Sequence, residues 1–176
     1  MKFRRIQNVA LGLMVFLFLF VGFVDQGFAA GKKDPACRYE IPLKKAGTIL
    51  NVPAADLDIR SYKQPVSPDD QKNETYKVPP CGYSYRSKSD FLKSISYTVY
   101  DFSRPEKARS VFETMKGNFK TVAKVETVQG LGDAAFWVND KRFHRFVCLK
   151  GGLMIDVLRP KELELQKRVV RLLLGK

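Results

Sequence analysis

Two spacings of hydrophobic residues organise the chain from residue 81 onward. Cys81 to Arg86 and Phe91 to Phe102 are rich in Tyr, Ile, Thr and Val with period-two alternation, and predict a hairpin across Arg86-Ser87-Lys88-Ser89. The period then changes: Ala108, Val111, Phe112 and Met115 fall at i, i+3, i+4 and i+7. Ser103-Arg104-Pro105-Glu106 has capping-box spacing with Pro in the first turn, and Gly117 offers a stop, which predicts a helix over 103–116. Val122 to Val128 reads as a strand. Ala134 to Val138, Arg142 to Leu149 and Leu153 to Leu158 read as a meander turning at Asn139-Asp140 and Gly151-Gly152. Pro160 opens a last predicted helix, to Leu174.

Upstream, Leu43, Ala46, Gly47 and Leu50 give a short helix within Pro42 to Asn51. Asn51 to Pro80 holds five of the nine prolines and no Phe, Trp or Met, so it reads as a long loop or an extended crossing segment. Strands joined mostly by tight turns and interrupted by helices predict an α+β fold. The expected architecture is an antiparallel sheet with two main helices packed on one face, 103–116 and the terminal one, and the short N-terminal helix at an edge. The length of 176 residues suits one domain, at 30–176.

Residues 1–29 read as a secretory signal. Lys2, Arg4 and Arg5 precede an uncharged run from Val9 to Val24, and Gly27-Phe28-Ala29 places small residues at −3 and −1. Sixteen residues span about 24 Å as a helix, short of a hydrocarbon core of roughly 30 Å. The alternative is an uncleaved membrane anchor. No Cys directly follows the apolar run, so a lipid-attached cysteine is not expected. The expected location is periplasmic or extracellular.

Charge narrows the partners. The chain carries 31 Lys+Arg against 18 Asp+Glu, and loss of the signal leaves about +11, because Lys2, Arg4, Arg5 and Asp25 go with it. Such a balance favours anionic lipid, an envelope polymer or an acidic protein, with nucleic acid the less expected outside the cytoplasm. A merely solvated basic surface is the plain alternative. Lys161, Glu164, Lys167, Arg168 and Arg171 share one arc of the last helix, and Lys161, Lys167, Arg168 and Arg171 are the candidate anion-binding face. Leu163, Leu165, Val169, Val170, Leu172, Leu173 and Leu174 cover an arc of about 200°, wider than one sheet requires. That arc either lies in a groove or touches a membrane or partner.

With one His and three Cys, multi-His and four-Cys zinc sites are excluded, and no cofactor is expected. Three cysteines in an exported chain allow three single pairings. Cys37 and Cys81 lie in Pro- and Gly-flanked contexts while Cys148 lies inside the strand Phe146-Val147-Cys148-Leu149, so Cys37 pairs with Cys81. His144 and Cys148 suggest an activated thiol, but on a strand they stand about 13 Å apart. Gly130-Leu131-Gly132-Asp133-Ala134-Ala135 matches a loose dinucleotide fingerprint, yet a strand follows where the phosphate-binding helix should be, so a turn with Gly at positive φ is expected. Asp56, Asp58, Asp69 and Asp70 lie in the proline-rich stretch with nothing to fix their separation. Asn73-Glu74-Thr75 is a glycosylation sequon. Tyr62, Tyr76, Tyr83, Tyr85, Tyr97 and Tyr100 among Lys and Arg could form an aromatic-basic binding face, or line a core.

The order of Cys37, short helix, Cys81-Gly82-Tyr83, strand, helix, Gly130-Leu131-Gly132-Asp133-Ala134-Ala135-Phe136-Trp137, hairpin and closing helix resembles a family of small secreted bacterial proteins of unknown function, many of them lipoproteins. The resemblance covers roughly residues 36–174. It implies an α+β sandwich similar to the photosystem-II extrinsic (PsbP-like) proteins, with no enzymatic activity assigned. The expectation is therefore an exported, non-enzymatic domain that binds a partner or anionic ligand. Two rivals stand beside it: a thiol-dependent enzyme or redox protein using Cys148, and a peripheral membrane protein bound through its basic C-terminal helix.

Overall fold

The computed structural model describes residues 37–140 and 144–175; the predicted signal lies outside them. Seven antiparallel strands run β1 (Leu57–Lys63), β2 (Tyr76–Ser87), β3 (Ser94–Phe102), β4 (Val125–Thr127), β5 (Ala134–Asn139), β6 (His144–Lys150) and β7 (Leu153–Arg159). Their order across the sheet is β1-β2-β3-β7-β6-β5-β4. Among the described residues four α-helices accompany them, α1 (Leu43–Leu50), α2 (Pro68–Lys72), α3 (Pro105–Lys120) and α4 (Leu163–Leu173), with one 3-10 turn at Ala54–Asp56. The α+β class and the antiparallel sheet are as expected.

The layering differs from expectation. Phe146, Cys148, Ile155 and Val157 pack with Val169 and Val170 of α4 and Ile49 and Leu50 of α1. Val147, Leu149 and Met154 pack instead with Ala108, Phe112 and Phe119 of α3. Successive strand residues point to opposite faces, so α3 and α4 lie on opposite sides of the sheet rather than on one. The reason is visible in the central strands. Phe146 to Leu149 and Met154 to Val157 are buried at four consecutive positions each, which is the mark of a sheet covered twice rather than once.

The stretch 51–80 is also more ordered than its prolines suggest. Pro53, Pro65 and Pro68 flank β1 without entering it, and all seven β1 residues pair with β2, from Leu57 opposite Ser87 to Lys63 opposite Cys81. Pro79 and Pro80 do enter β2, where the register with β3 shifts between Val78 and Cys81; an irregularity is where a strand tolerates a missing N–H. At the start of α3 the cap is Arg104 with no side-chain bond, so the Ser103 capping box does not form, although Pro105 keeps its first-turn place. Gly117 does not stop this helix. Phe119 is buried two residues later, its ring 6.2 Å from that of Phe136, and that burial outweighs the roughly 1 kcal/mol that a helical Gly costs. Pro160 is buried in the connection before α4 instead of opening it. The strand expected at 122–128 shortens to Val125–Thr127.

Residues 37–42 cross the α1/α4 face of the sheet as a segment that is neither helix nor strand. The Tyr83 hydroxyl accepts from Tyr39 N at 2.8 Å, and that of Tyr97 donates to Tyr39 O at 2.7 Å. The Tyr85 hydroxyl accepts from Ile41 N at 2.7 Å and donates to Ile41 O at 2.8 Å. The rings of Tyr83 and Tyr97 stack at 4.8 Å. The segment starts at a Cys37–Cys81 disulfide, as expected, with Cα atoms 5.7 Å apart; closing 44 residues contributes about 4 kcal/mol on a chain-entropy basis.

Two outcomes follow from this packing. Phe112 is fully buried, its ring 5.1 Å from that of Phe136. Phe112→Asp is expected to cost about 4 kcal/mol or more by urea denaturation, because it strands a carboxylate in the core; a variant unfolding like the parent would place α3 in solvent. The second concerns alkali. Burial, then the hydrogen bond to Asp101, pushes the Tyr39 hydroxyl up to about 12, and burial pushes those of Tyr85 and Tyr97 above the ordinary tyrosine range. Phenols raised in the folded state contribute stability that is complete below pH about 10 and is lost as pH rises through their folded values. Phenolate absorbance of these residues should therefore rise together with unfolding above pH about 10, and not before it.

Candidate functional site

Helix α4 holds the candidate face because its other side is fully used. Val169 and Val170 are buried, and Leu163, Leu165, Leu172, Leu173 and Leu174 pack against the same core. The wide apolar arc thus fills a groove between the sheet and α1, and the opposite arc faces water. Arg168 and Arg171 are exposed there; Lys161 is exposed too, but it precedes the helix, which begins at Leu163, and so does not share its arc, contrary to expectation. Lys167 is not equivalent to them: its side chain is 20% exposed and its Nζ lies 2.7 Å from Glu164 Oε1. The hydrogen bond from Lys167, then the charges of Lys167, Arg171 and Arg168, hold the Glu164 carboxyl below its ordinary range. The face is a cluster of cations with Glu162 and Glu164 set among them.

Cys148 takes no part in the disulfide and keeps its thiol, which is buried beneath the Gly130–Gly132 turn. Its Sγ lies 3.6 Å from Leu131 O. Gly130 and Gly132 have φ of 76° and 66°, and a Cβ on Gly132 would collide with Leu149 O and Cys148 Sγ. Asp133 N donates to Leu149 O at 2.7 Å, and its carboxylate accepts from Gly151 N at 2.6 Å. The stretch matching a dinucleotide fingerprint is therefore a turn that seats Leu131 in the core and ties down the β6–β7 turn, as expected. His144 opens β6, four residues from Cys148, and its Nδ1 is buried with no hydrogen-bond partner among the described residues.

The tyrosines do not form one surface. Tyr83, Tyr85 and Tyr97 are fully buried, Tyr76 and Tyr100 half-buried, and Tyr62 is 41% exposed. One member of each carboxylate pair serves a turn: Asp56 accepts from Ser89 N at 3.1 Å, and Asp70 from Thr75 Oγ1 at 2.9 Å, while Asp58 lies in β1, 4.0 Å from Lys88. Hydrogen bonds from Ser87 and Ser89 hold the Asp56 carboxyl below its ordinary value, and those from Ser67 and Thr75 do so for Asp70. Asn73 of the sequon is exposed. Lys63, Gln71, Tyr76, Lys77 and Ser103 help line an open cleft of about 720 Å³ beside α2. Among the described residues no group of His, Cys, Asp and Glu is arranged to hold a metal ion.

One constellation escaped the sequence reading. Arg145 Nε lies 2.7 Å from Asp156 Oδ1 on the α3 face; Asp156 is 1% exposed and Arg145 25%. The guanidinium also sits 5.2 Å over the Phe119 ring. Burial alone would push Arg145 down, but the Asp156 charge and hydrogen bond, with Tyr100, hold it above its ordinary value. Burial, then the Asp156 charge, pushes the nearby Tyr100 hydroxyl up. Asp156 within Met154-Ile155-Asp156-Val157 was the available signal: a charge inside an apolar run needs a partner.

No family model matches the sequence, so the resemblance drawn from Cys37, Cys81 and the Gly130–Ala135 stretch finds no support there, and no curated protein matches it either. Among solved structures the chain is similar to the extracellular domain of PknH from Mycobacterium tuberculosis, at 13% identity and a TM-score of 0.48, over 77% of this chain and 93% of that one. A similarity of that degree carries no functional argument.

The ion pair makes its own prediction. Arg145→Ala leaves Asp156 buried without its guanidinium and is expected to cost about 3–5 kcal/mol in urea denaturation. The double change Arg145→Met with Asp156→Leu should recover most of that loss, since it removes both charges and refills the volume. Equal losses in single and double variants would show that the pair is not what the site depends on.

Proposed function

We propose that this chain is an exported, non-enzymatic binding domain whose anionic partner meets the solvent face of α4. The observation that carries the reading is the exposure of Arg168 and Arg171 on a helix whose apolar arc packs against the core, with exposed Lys161 just before its first turn. The excess of 31 basic over 18 acidic residues supplies the long-range attraction. Export is supported by the Cys37–Cys81 disulfide, a bond that persists in oxidising compartments. The chain then works in the periplasm or outside the cell, on anionic lipid, an envelope polymer or an acidic protein. No helix among the described residues is long and apolar enough to cross a membrane. The thiol reading has less behind it, because Cys148 is 1% exposed and roofed by Leu131 and Gly132.

Binding to an anionic polymer or vesicle should fall steeply between about 0.1 M and 1 M salt, as the Debye length shrinks from roughly 10 Å to 3 Å. Arg168→Glu with Arg171→Glu should mimic high salt without changing the melting temperature. Binding that ignores both would sink the basic-face reading. Maleimide labelling is expected to reach Cys148 only after unfolding; rapid labelling of the native protein would favour the thiol rival.

A further inference from the structure

Phe91 and Leu92 stand side by side at the β2–β3 tip, 69% and 70% exposed. Single exposed apolar side chains are ordinary on a protein surface, but this pair is adjacent, large and held out by a built turn. Ser87 N donates to Lys93 O at 3.0 Å and Lys93 N to Asp90 O at 3.0 Å. Asp90 N donates to Ser87 Oγ at 2.9 Å, and Leu92 N to Asp90 Oδ1 at 3.1 Å. From the neighbouring strand start, Asp56 O accepts from Lys88 N at 2.8 Å, and the Asp56 carboxylate accepts from Ser87 Oγ and Ser89. The carboxylates of Asp56 and Asp90 are thus occupied within the turn. A tip held this way is pre-organised to present its two side chains.

Exposed Arg86 and Lys88 and half-buried Lys93 stand around the pair with Asp56, Asp58 and Asp90, and Lys88 lies 4.0 Å from Asp58. The positive excess at this end of the sheet comes from β7 and its exit. β7 runs antiparallel to β3 with Arg159 opposite Ser96, which brings exposed Arg159 and Lys161 to the same end of the sheet. We propose that this tip is a membrane-docking wedge: Phe91 and Leu92 enter the interfacial layer of an anionic bilayer, and the cations around them meet its headgroups. Two projecting side chains supply far less contact than the roughly 800 Å² per partner of a stable protein interface. A bilayer interface takes such an apolar pair with cations at hand, the aromatic ring lying at headgroup depth. The wedge goes beyond the α4 reading and uses a different surface, sharing only Lys161 with it.

The test uses the full mature chain and vesicles of phosphatidylcholine with or without phosphatidylglycerol. Wild type is expected to sediment with the phosphatidylglycerol vesicles, and Phe91→Ser with Leu92→Ser to lower that affinity about tenfold or more. The double variant should melt like the parent, because both side chains are already in water. In a Phe91→Trp variant, emission should shift to the blue on binding and be quenched by brominated lipid, over the Trp137 background of the parent. Loss of vesicle binding in the tip variant supports the wedge whether or not Arg168→Glu/Arg171→Glu also loses binding, because the latter variant tests the α4 face and leaves the tip intact. Three outcomes overturn it: wild type that binds neither vesicle, a tip variant that binds as tightly as wild type, or a Phe91→Trp variant whose emission is unchanged on binding.

Discussion

Everything on the α1/α4 side of the sheet depends on three tyrosine hydroxyls. Residues 39–41 cross the sheet where no strand lies beside them, and a buried backbone must still find hydrogen-bond partners. Tyr83, Tyr85 and Tyr97 project from two paired strands and give Tyr39 and Ile41 those partners. Their rings at the same time form the floor on which Ile49, Leu50, Val169 and Val170 pack. A Phe at any of the three would fill the volume but leave a buried N–H or C=O short of a partner. The disulfide at Cys37 anchors the start of this segment, so covalent and polar constraints act on the same few residues.

The opposite face is solved differently. α3 covers Phe136, Val138, Val147, Leu149 and Met154 with Ala108, Phe112 and Phe119. At the margin of that cover the Arg145–Asp156 pair takes over, closed by the Phe119 ring. A sheet covered on both faces leaves its surface chemistry to edges, turns and helix exteriors. The exposed cations of α4 and the Phe91–Leu92 tip are both of that kind, and neither is needed to hold the core.

Much was legible in the residues themselves. The strand and helix periods placed α3, α4 and the β5–β7 meander to within a few residues, and the disulfide followed from the contexts of Cys37 and Cys81. The Gly130–Gly132 turn was legible because a strand follows it where a phosphate site needs a helix. β1 was missed because prolines were counted across the whole of 51–80, when they bracket Leu57–Lys63 and leave its alternation intact. The face shared by Arg168 and Arg171 was readable from helical spacing, but Lys161 falls before the helix begins, and the capture of Lys167 by Glu164 depends on rotamers that spacing does not specify.

Local period and turn chemistry depend on neighbours a few residues away, and so the sequence alone determined element type, most turns and the charge of the surface. Which face each helix covers is a long-range choice. It was decided by the demand of Phe146 to Leu149 and Met154 to Val157 for cover on both sides, met only when distant segments come together. The same holds for Asp156 and for the tyrosine hydroxyls, whose partners lie 11 and 44 or more residues away along the chain. Those pairings exist only once the sheet has formed, which is why the tertiary structure and not the sequence pattern decided them.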